Sequence, residues 1–419
     1  MASFKILSQL FRRADWKRLV KADILAVRHD DDCGQLIDGK YYSPMIDSLL
    51  DEVQGRAVLT VASPYSCQVG AASYAGALSF NGAFARELLV KRLRKMLGLK
   101  SAEADIDTWR GIIRAVRPKY VIGIQPHAAL CRACHEQGIF VFDMQHGYIG
   151  PKHPGYGEAF QIGRDRQEMA DCILCWDEES AASIRDWTSR KGIEVRVIGN
   201  PWINKFVMRR DGDKVIRFFE NQRAAERRDS ERPRILVSLQ WGLDDPAIAP
   251  DQALFDNEFM PIALETAIRN TREQFEWILR PHPVQYMNSE VFKRLTQHVQ
   301  ERFGSAVRIS ENDPLPFVLS GVDLHITYNS SVVIEAEYFG VRSALLDPQI
   351  DGGLWAGYYA GQIGRGAAKL LPCEASAIQE WISVSRTDPD RTLRGLPVPG
   401  AYVEFLEEIQ GRRVSGSDL

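Results

Sequence analysis

The strongest constraint on the fold is a regular alternation of short apolar segments with longer amphipathic segments along most of the chain. The short segments are mostly rich in Val and Ile, and several are soon followed by Gly, Pro or Asn. Strands that alternate with helices form parallel sheets covered on both faces. The sequence therefore predicts an α/β protein with doubly wound parallel sheets. The predicted strands are residues 23–27, 57–62, 120–124, 140–144, 172–176, 195–198, 235–239, 277–280, 307–309, 324–327 and 343–346.

A change in composition separates two halves that follow the same pattern. Residues 205–232 are highly charged, and Pro233 stops any helix there before the next apolar strand begins. Because 419 residues suffice for two or three domains, we predict two Rossmann-like domains, residues 1–204 and 205–400, and a C-terminal helix and tail, residues 401–419. Two such domains facing across a cleft would hold a ligand at the carboxyl ends of their strands.

Composition and charge narrow the classes of partner. The net charge is −3, so the chain has no overall excess of positive charge with which to bind nucleic acid. No apolar run approaches the roughly eighteen residues of a membrane span, and the first residues lack the features of a signal peptide, so we expect a cytoplasmic protein. Residues 1–20 have the pattern of a basic amphipathic helix, which either lies on an anionic membrane surface or packs on its own domain.

Metal and cofactor sites have weak support in the sequence. Two C-x-x-C pairs, Cys131 with Cys134 and Cys172 with Cys175, supply enough thiolates for a structural zinc. The first pair lies on a predicted helix and the second on a predicted buried strand, so we interpret them as core residues and predict no metal site. The run Asp30–Asp32 is interpreted as a solvated loop. No G-x-G-x-x-G follows a strand and no Walker A loop is present, so we predict no cofactor.

The strongest candidate site lies in the second half, where polar motifs follow two predicted strands. Strand 277–280 runs into a Pro-His-Pro loop, whose prolines stiffen it so that Arg280 and His282 can face an anion. Strand 324–327 leads to serines at a helix N-terminus, where backbone N–H groups and hydroxyls suit a phosphate. Helix capping by the serines and a loop role for the histidine are the alternatives. The predicted nucleotide-binding residues are Arg280, His282, Pro283, Asn329, Ser330, Ser331 and Glu335.

These motifs resemble those of a known family. The run from Arg280 to Pro283, followed by Asn329-Ser330-Ser331 and Glu335, is similar to the "HP" and "SS" motifs of bacterial GT-B sialyltransferases and Kdo transferases. Residues 235–248 resemble the strand-Gln-x-x-Asp-Asp segment of retaining β-Kdo transferases of capsule and O-antigen assembly, with one extra residue before the aspartates. The resemblance implies CMP binding by the first motifs. It also implies a substrate contact at Gln240 and a catalytic carboxylate at Asp244 or Asp245.

The first half has its own candidate at the end of a predicted strand. Gln145-His146-Gly147 follows strand 140–144 and resembles the Gln-His-Gly segment of many bacterial surface-polysaccharide glycosyltransferases. Gly147 permits a tight turn from which His146 projects, and a histidine that satisfies loop backbone is the alternative. We predict His146 as a further catalytic candidate and Gln145 as a substrate-binding residue. If an aspartate attacks, the product keeps its anomeric configuration. If His146 acts as a base, inversion is expected.

Together these features predict a GT-B glycosyltransferase with an acceptor-side first domain and a nucleotide-sugar-binding second domain. The resemblance implies transfer of Kdo or a related ulosonic acid from a CMP donor to a glycan or glycolipid acceptor of a bacterial capsule or lipopolysaccharide. The alternatives are a transferase for a UDP-, GDP- or dTDP-sugar or a CDP-polyol, a nucleotide-sugar epimerase, and a non-catalytic glycan- or nucleotide-binding protein. The N-terminal helix would give contact with the inner face of the plasma membrane.

Overall fold

The chain forms two compact units in the computed structural model, which describes residues 14–98, 105–147, 149, 153–225, 232–247, 249–310, 313–387 and 398–411. The first unit comprises Met1–Lys205 and Val398–Leu419, and the second comprises Phe206–Pro397. Each unit contains a sheet of six strands. The C-terminal helix, which the sequence analysis treats as a separate segment, belongs to the first unit.

The first unit is built on a parallel sheet. Its strands are β1 (Ile24–Arg28), β2 (Gln35–Ile37), β3 (Lys40–Tyr42), β4 (Val58–Ala62), β5 (Tyr120–Gly123), β6 (Phe140–Met144), β7 (Cys172–Cys175) and β8 (Glu194–Val197). The sheet order is β4-β1-β5-β6-β7-β8, and β2 and β3 form a separate antiparallel hairpin. All residues of β1 are buried, as a strand covered on both faces requires. The strand order reverses between β1 and β5, where doubly wound sheets bind ligands.

Helices cover both faces of this sheet, and the last of them comes from the end of the chain. Asp177 begins one helix by accepting a hydrogen bond from the Ser180 N–H at 2.7 Å. The C-terminal helix buries Phe405, whose ring centroid lies 5.1 Å from that of Phe142 on β6. The helices of this unit are Ile46–Glu52, Asn81–Met96, Ile106–Val116, Ala128–His135, Glu158–Gln161, Glu178–Arg190 and Gly400–Gln410, and Pro201–Met208 spans the boundary between the units.

The second unit is a doubly wound parallel sheet. Its strands are β9 (Arg234–Ser238), β10 (Glu276–Arg280), β11 (Val307–Ile309), β12 (Leu324–Thr327), β13 (Arg342–Leu345) and β14 (Ala368–Leu370), in the order β11-β10-β9-β12-β13-β14. The first and fourth strands, β9 and β12, are therefore neighbours and form the switch point of a Rossmann sheet. The helices are Lys214–Ala225, Ile262–Thr271, Pro283–Met287, Ser289–Phe303, Leu315–Leu319, Val332–Tyr338, Ala360–Gly364 and Ala375–Thr387.

A buried histidine fastens the switch-point strands together. On β12, His325 is fully buried, and its ring nitrogens lie 2.9 Å from the Ser343 Oγ of β13 and 3.0 Å from the Ser238 Oγ of β9. Burial lowers the pKa of His325 to about 3, so its ring is neutral at physiological pH. The polar bridge thus fixes Ser238 at the end of β9 without placing a charge in the core.

The predicted strands are all present, and their boundaries differ from the observed ones by at most one residue. The hairpin β2–β3 and the edge strand β14 were not predicted from the sequence. The hairpin buries only Ile37 and Tyr42, so its apolar pattern is too weak to predict a strand. The helix Ile262–Thr271 begins directly after Pro261, which is its N-cap.

Two further predictions concern membranes and metals. Residues 1–13 of the predicted N-terminal helix lie outside the described residues, and Trp16–Arg18 forms a short 3-10 helix. Among the helices described, none has the length and apolar character needed to cross a membrane. The cysteines of both C-x-x-C pairs are buried. Within the described ranges, no group of three or more His, Cys, Asp or Glu side chains is arranged to hold a metal.

Candidate functional site

A cavity of about 420 Å³ opens at the switch point of the second sheet. The segments that follow β9, β10 and β12 supply its walls, because the carboxyl ends of parallel strands meet at one edge. The cavity brings together Gln240 and all seven residues predicted to bind a nucleotide. It is lined by Ser238, Leu239, Gln240, Trp241, Arg280, Pro281, His282, Pro283, Leu315, Asn329, Ser330, Ser331, Val332 and Glu335.

His282 is held at the cavity wall by a capping box. Its Nδ1 accepts a hydrogen bond from the Val284 N–H at 3.2 Å, and its own backbone N–H donates to the Gln285 Oε1 at 2.8 Å. Burial lowers the pKa of His282, which favours the neutral ring. Because Nδ1 is the acceptor, the proton of the neutral ring lies on Nε2. His282 therefore combines a structural cap with a free ring donor suited to a phosphate oxygen.

Gln285 joins two walls of the cavity. Besides accepting from His282, its side-chain amide donates to the backbone oxygen of Gln240 at 3.0 Å. The Gln240 side chain has its Oε1 buried, and no described group donates to that atom. A buried acceptor without a donor is costly unless a ligand or water satisfies it. The geometry fits the predicted substrate contact at Gln240, which stays a prediction.

Arg280 and Glu335 place opposite charges in the same cavity. The Arg280 Nη1 donates to the backbone oxygen of Asp313 at 2.7 Å, which fixes the guanidinium at the wall. Burial lowers the pKa of Arg280, while the carboxylates of Glu335 and Asp313 act against that shift. Burial also raises the pKa of Glu335 to about 7, opposed by the positive charge of Arg280. The cavity therefore contains a permanent cation beside a carboxyl group that titrates near neutral pH.

The replacement Glu335→Gln is expected to stabilise the protein at pH 8 but not at pH 4. The ordinary pKa of 4.5 rises to about 7 in the folded state, so ionisation of Glu335 opposes folding as the pH rises through this interval. The gain at pH 8 is at most about 3 kcal/mol. Urea unfolding across the pH range measures it. An unchanged difference between the two proteins from pH 4 to pH 8 would contradict the buried-acid interpretation.

The serine motif lies where β12 turns into a helix. The Ser330 Oγ accepts weakly from the Val332 N–H at 3.4 Å, as the capping alternative expected. Asn329 donates from Nδ2 to the Asp347 Oδ2 at 2.9 Å, so its side chain positions the turn. The helix Val332–Tyr338 has only two turns. The predicted anion binding would therefore depend on local N–H groups and hydroxyls more than on a long helix dipole.

Trp241 is a cavity residue that the sequence analysis missed. Its ring centroid lies 6.2 Å from that of His282, and 46% of the residue remains exposed. An exposed indole at the mouth of a cavity offers a stacking surface for a nucleobase. Its position directly after Gln240, at the end of a strand, was the available signal.

The two aspartates predicted for catalysis come shortly after Trp241 in the sequence, but they do not line this cavity. Both are exposed, in a turn that begins just after Trp241. The Asp245 Oδ1 accepts a hydrogen bond from the Ala247 N–H at 2.9 Å, so this carboxylate stabilises the turn in which it lies. Asp244 instead lines a second cavity of about 470 Å³ with Arg294. Among the described residues, no backbone N–H donates to the carboxylate of Asp244.

In the first unit, His146 and Gln145 follow β6 and have different environments. The His146 side chain is 45% exposed, and its Nε2 lies 3.9 Å from the Oδ1 of Asp32, beyond hydrogen-bond distance. Gln145 is buried and bonded within the protein: Nε2 donates to the Gly147 oxygen at 2.9 Å, and Oε1 accepts from the Trp176 N–H at 2.7 Å. These bonds give Gln145 a structural role, and its part in substrate binding stays a prediction.

The interpretation of Asp30–Asp32 as a solvated loop was wrong for Asp32. This residue is 6% exposed and bonded to the Ser43 hydroxyl. Burial raises its pKa to about 7. Nearby, the buried Arg28 pairs with the buried Asp47 at 2.8 Å. Packing at the end of β1 buries Asp32 although it belongs to an acidic run. A single sequence does not reveal this packing.

The Gly199-Asn200-Pro201 turn follows β8. Gly199 has a φ of +76°, a conformation that favours glycine. The Oδ1 of Asn200 accepts from the N–H of Trp202 at 2.9 Å, at the start of the helix Pro201–Met208. The Gly-Asn-Pro turn therefore caps a helix.

Comparison with known proteins supports the fold. No protein-family model matches the chain, and neither does any curated protein. Among solved structures it is similar to a single-residue variant of the wall teichoic acid polymerase TagF, with a TM-score of 0.58 and 12% identity over 98% of this chain and 92% of that chain. A structure of TagF soaked with CDPG has a TM-score of 0.52 and 13% identity, with coverages of 98% and 88%.

A second class of similar structure is a sugar epimerase. The UDP-GlcNAc 2-epimerase from Neisseria meningitidis, bound to UDP-GlcNAc, has a TM-score of 0.55 and 14% identity over 93% of this chain and 100% of that chain. At these identities the similarity concerns the fold alone. With the two doubly wound sheets, it assigns the chain to the GT-B fold, as the sequence predicts.

Proposed function

We propose that the protein is a glycosyltransferase that binds a nucleotide-activated donor in the cavity of its second unit. The observation that supports the proposal is the convergence of Arg280, His282, Ser330, Ser331 and Glu335 on one cavity at the switch point of the sheet. The ligands named for the structures of similar fold, UDP-GlcNAc and CDPG, agree with a nucleotide-linked substrate.

In this proposal the side chains stabilise the leaving phosphate. Arg280 supplies a fixed positive charge and His282 an Nε2–H donor, while the serine hydroxyls complete the anion site. Glu335 accepts from the ribose hydroxyls, and Trp241 stacks on the base. Phosphate stabilisation is assigned to these groups, so the proposal includes no divalent metal. The acceptor is a glycan or glycolipid of a bacterial surface.

For the donor we propose a CMP-linked ulosonic acid such as Kdo. The support is the similarity of the His-Pro and Asn-Ser-Ser motifs to those of CMP-sugar-using transferases. Asp244 is the proposed nucleophile because the Asp245 carboxylate is engaged in its turn. Attack by Asp244 would form a glycosyl–enzyme ester with release of CMP, and the acceptor hydroxyl would then displace the carboxylate, with the hydroxyl proton passing to the released Asp244 carboxyl group. His146 as a base is the alternative.

A CDP-polyol phosphotransferase is the second candidate. It is favoured by the similarity of fold to TagF, including the structure soaked with CDPG. The same cavity groups would stabilise CMP as the leaving group. His146 would then be the base that activates the acceptor hydroxyl, because an exposed imidazole can accept a proton from a substrate.

CMP is expected to raise the melting temperature more than UMP, GMP or dTMP at equal concentration. A ligand that binds only the folded state stabilises it by mass action. Thermal unfolding of the full chain measures the effect, with Arg280→Met as the control that should lose it. If UMP, GMP or dTMP gave the larger shift, the cytidine assignment would fail. If no nucleotide gave a shift, the function itself would be contradicted.

Activity assays distinguish the two candidates. A CMP-ulosonic acid donor and a CDP-polyol donor are each incubated with the protein and a glycan acceptor, and CMP release and the product are followed. Transfer of the ulosonic acid supports the first candidate, and transfer of the polyol phosphate supports the second.

A further inference from the structure

The helix Asn81–Met96 is buried at its beginning and exposed at its end. Asn81, Gly82, Phe84 and Ala85 are buried against the first unit. From residue 89 to residue 98, every residue except the half-buried Lys91 is exposed. The second half of a helix of sixteen residues therefore extends away from the core that anchors its first half.

The exposed half carries large apolar side chains on one face. Met96 is 82% and Leu97 is 73% exposed. Together with Leu89 and Leu93, they recur at helical spacings of i, i+4, i+7 and i+8, which align in a single stripe, and Val90 borders this stripe. Scattered single apolar residues are normal on protein surfaces, but a continuous stripe marks an interaction site.

Basic residues surround this stripe. The sequence from 86 to 98 contains Arg86, Lys91, Arg92, Arg94 and Lys95, and Glu87 is its only acidic residue. The Glu87 carboxylate faces the protein, where it accepts from the N–H groups of Asp107 at 2.9 Å and Thr108 at 3.0 Å. The exposed half of the helix therefore presents positively charged and apolar side chains. It contains no acidic side chain that would balance the positive charge.

The base of the helix is firmly fixed. The ring centroids of Phe84 and Trp109 lie 5.2 Å apart, and Glu87 caps the helix Ile106–Val116. Because its base is fixed, the exposed half of the helix keeps one direction. The apolar stripe can therefore enter another apolar environment with little loss of conformational entropy.

We propose that the exposed half of this helix, residues 89–97, binds an anionic lipid surface. Apolar side chains on one face and Lys and Arg on the others are the pattern of helices that lie in the headgroup region of a membrane. Anionic headgroups attract such cations. A second copy of this chain fits less well, because like charges would meet in a symmetric contact. The inference goes beyond the proposed function and does not depend on it.

The test is sedimentation of the full chain with vesicles of phosphatidylcholine, either alone or mixed with phosphatidylglycerol. The protein is expected to bind the mixed vesicles at least about tenfold more strongly than the neutral ones, and less at high salt because salt screens the attraction. The double variant Met96→Ser, Leu97→Ser and the triple variant Arg92→Gln, Arg94→Gln, Lys95→Gln should each reduce binding at least about tenfold.

The matched control is the double variant Leu36→Ser, Met287→Ser, since both residues are strongly exposed apolar residues elsewhere in the chain. It should bind vesicles like the unaltered protein. Full binding by the helix variants, or equal binding to both vesicle types, would overturn the proposal. Self-association that is lost in the apolar variant, without vesicle binding, would show a contact between copies instead. The melting-temperature shift with CMP should be the same in all variants, so it tests the proposed function separately.

Discussion

Replacing Asp244 by asparagine is expected to reduce sugar transfer by at least about a hundredfold, the usual scale for loss of a catalytic group. Asparagine has nearly the same shape but cannot act as a nucleophile or a base. The residue follows β9 and Trp241 in a long loop, and Asp244 does not line the nucleotide cavity, so CMP affinity should be unchanged. Transfer assays with the CMP-sugar and calorimetry with CMP measure the two quantities.

The adjacent residue provides the matched control. In Asp245→Asn the side-chain oxygen can still accept from the Ala247 N–H, so the turn is kept and transfer should stay within a few-fold of the unaltered protein. A sugar adduct on the peptide containing Asp244 would support the double displacement. If both variants are fully active, the carboxylate mechanism is excluded, and loss of transfer in His146→Asn would then identify the histidine as the base.

Replacing His282 by asparagine is expected to weaken CMP binding ten- to hundredfold while the fold stays stable. Asparagine is a good N-cap and can accept from the Val284 N–H in place of Nδ1, but it is too short to reproduce the Nε2–H donor. A hydrogen bond to a charged group contributes about 1.5–3 kcal/mol, which corresponds to this range of affinity. Calorimetry with CMP gives the affinity, and urea unfolding gives the stability.

His282→Ala separates the two roles of the residue. It should lose the same affinity and also about 1 kcal/mol of stability, because the cap is lost with the ring donor. If His282→Asn bound CMP as tightly as the unaltered protein, the ring would be a cap alone and the phosphate site would need different groups.

The fold and the cavity at the switch point of its second sheet could be predicted because both follow from local patterns. Apolar runs locate the strands, and parallel strands bring their carboxyl ends to one edge. Residues such as Arg280 and Ser330, which are 50 positions apart in the chain, were therefore expected to meet. The position of the His-Pro loop could be predicted for the same reason. Its prolines restrict the backbone dihedral angles, and the preceding strand sets the direction in which the loop leaves the sheet.

Features that depend on packing could not be predicted in this way. The burial of Asp32 depends on Ser43 and its neighbours, and nothing in the run Asp30–Asp32 distinguishes its last member. The internal bonds of Gln145 depend on Trp176, about thirty residues away. The difference between Asp244 and Asp245 depends on one backbone N–H of a turn. In each case the deciding contact lies outside the motif that drew attention to the residue.

The C-terminal helix has a consequence for the order in which the protein can form. Arg56 donates from Nε to the backbone oxygen of Gln410 at 2.6 Å, and Tyr402, Phe405 and Ile409 are buried. The first unit is thus made of two stretches separated by the whole of the second unit. On the ribosome, residues 206–397 are complete before the last helix of the first unit exists. Domains usually fold in the order in which they are synthesised, beginning at the N-terminus. Here the first unit cannot complete its core until the C-terminal helix has been made, which happens after the whole of the second unit has been synthesised.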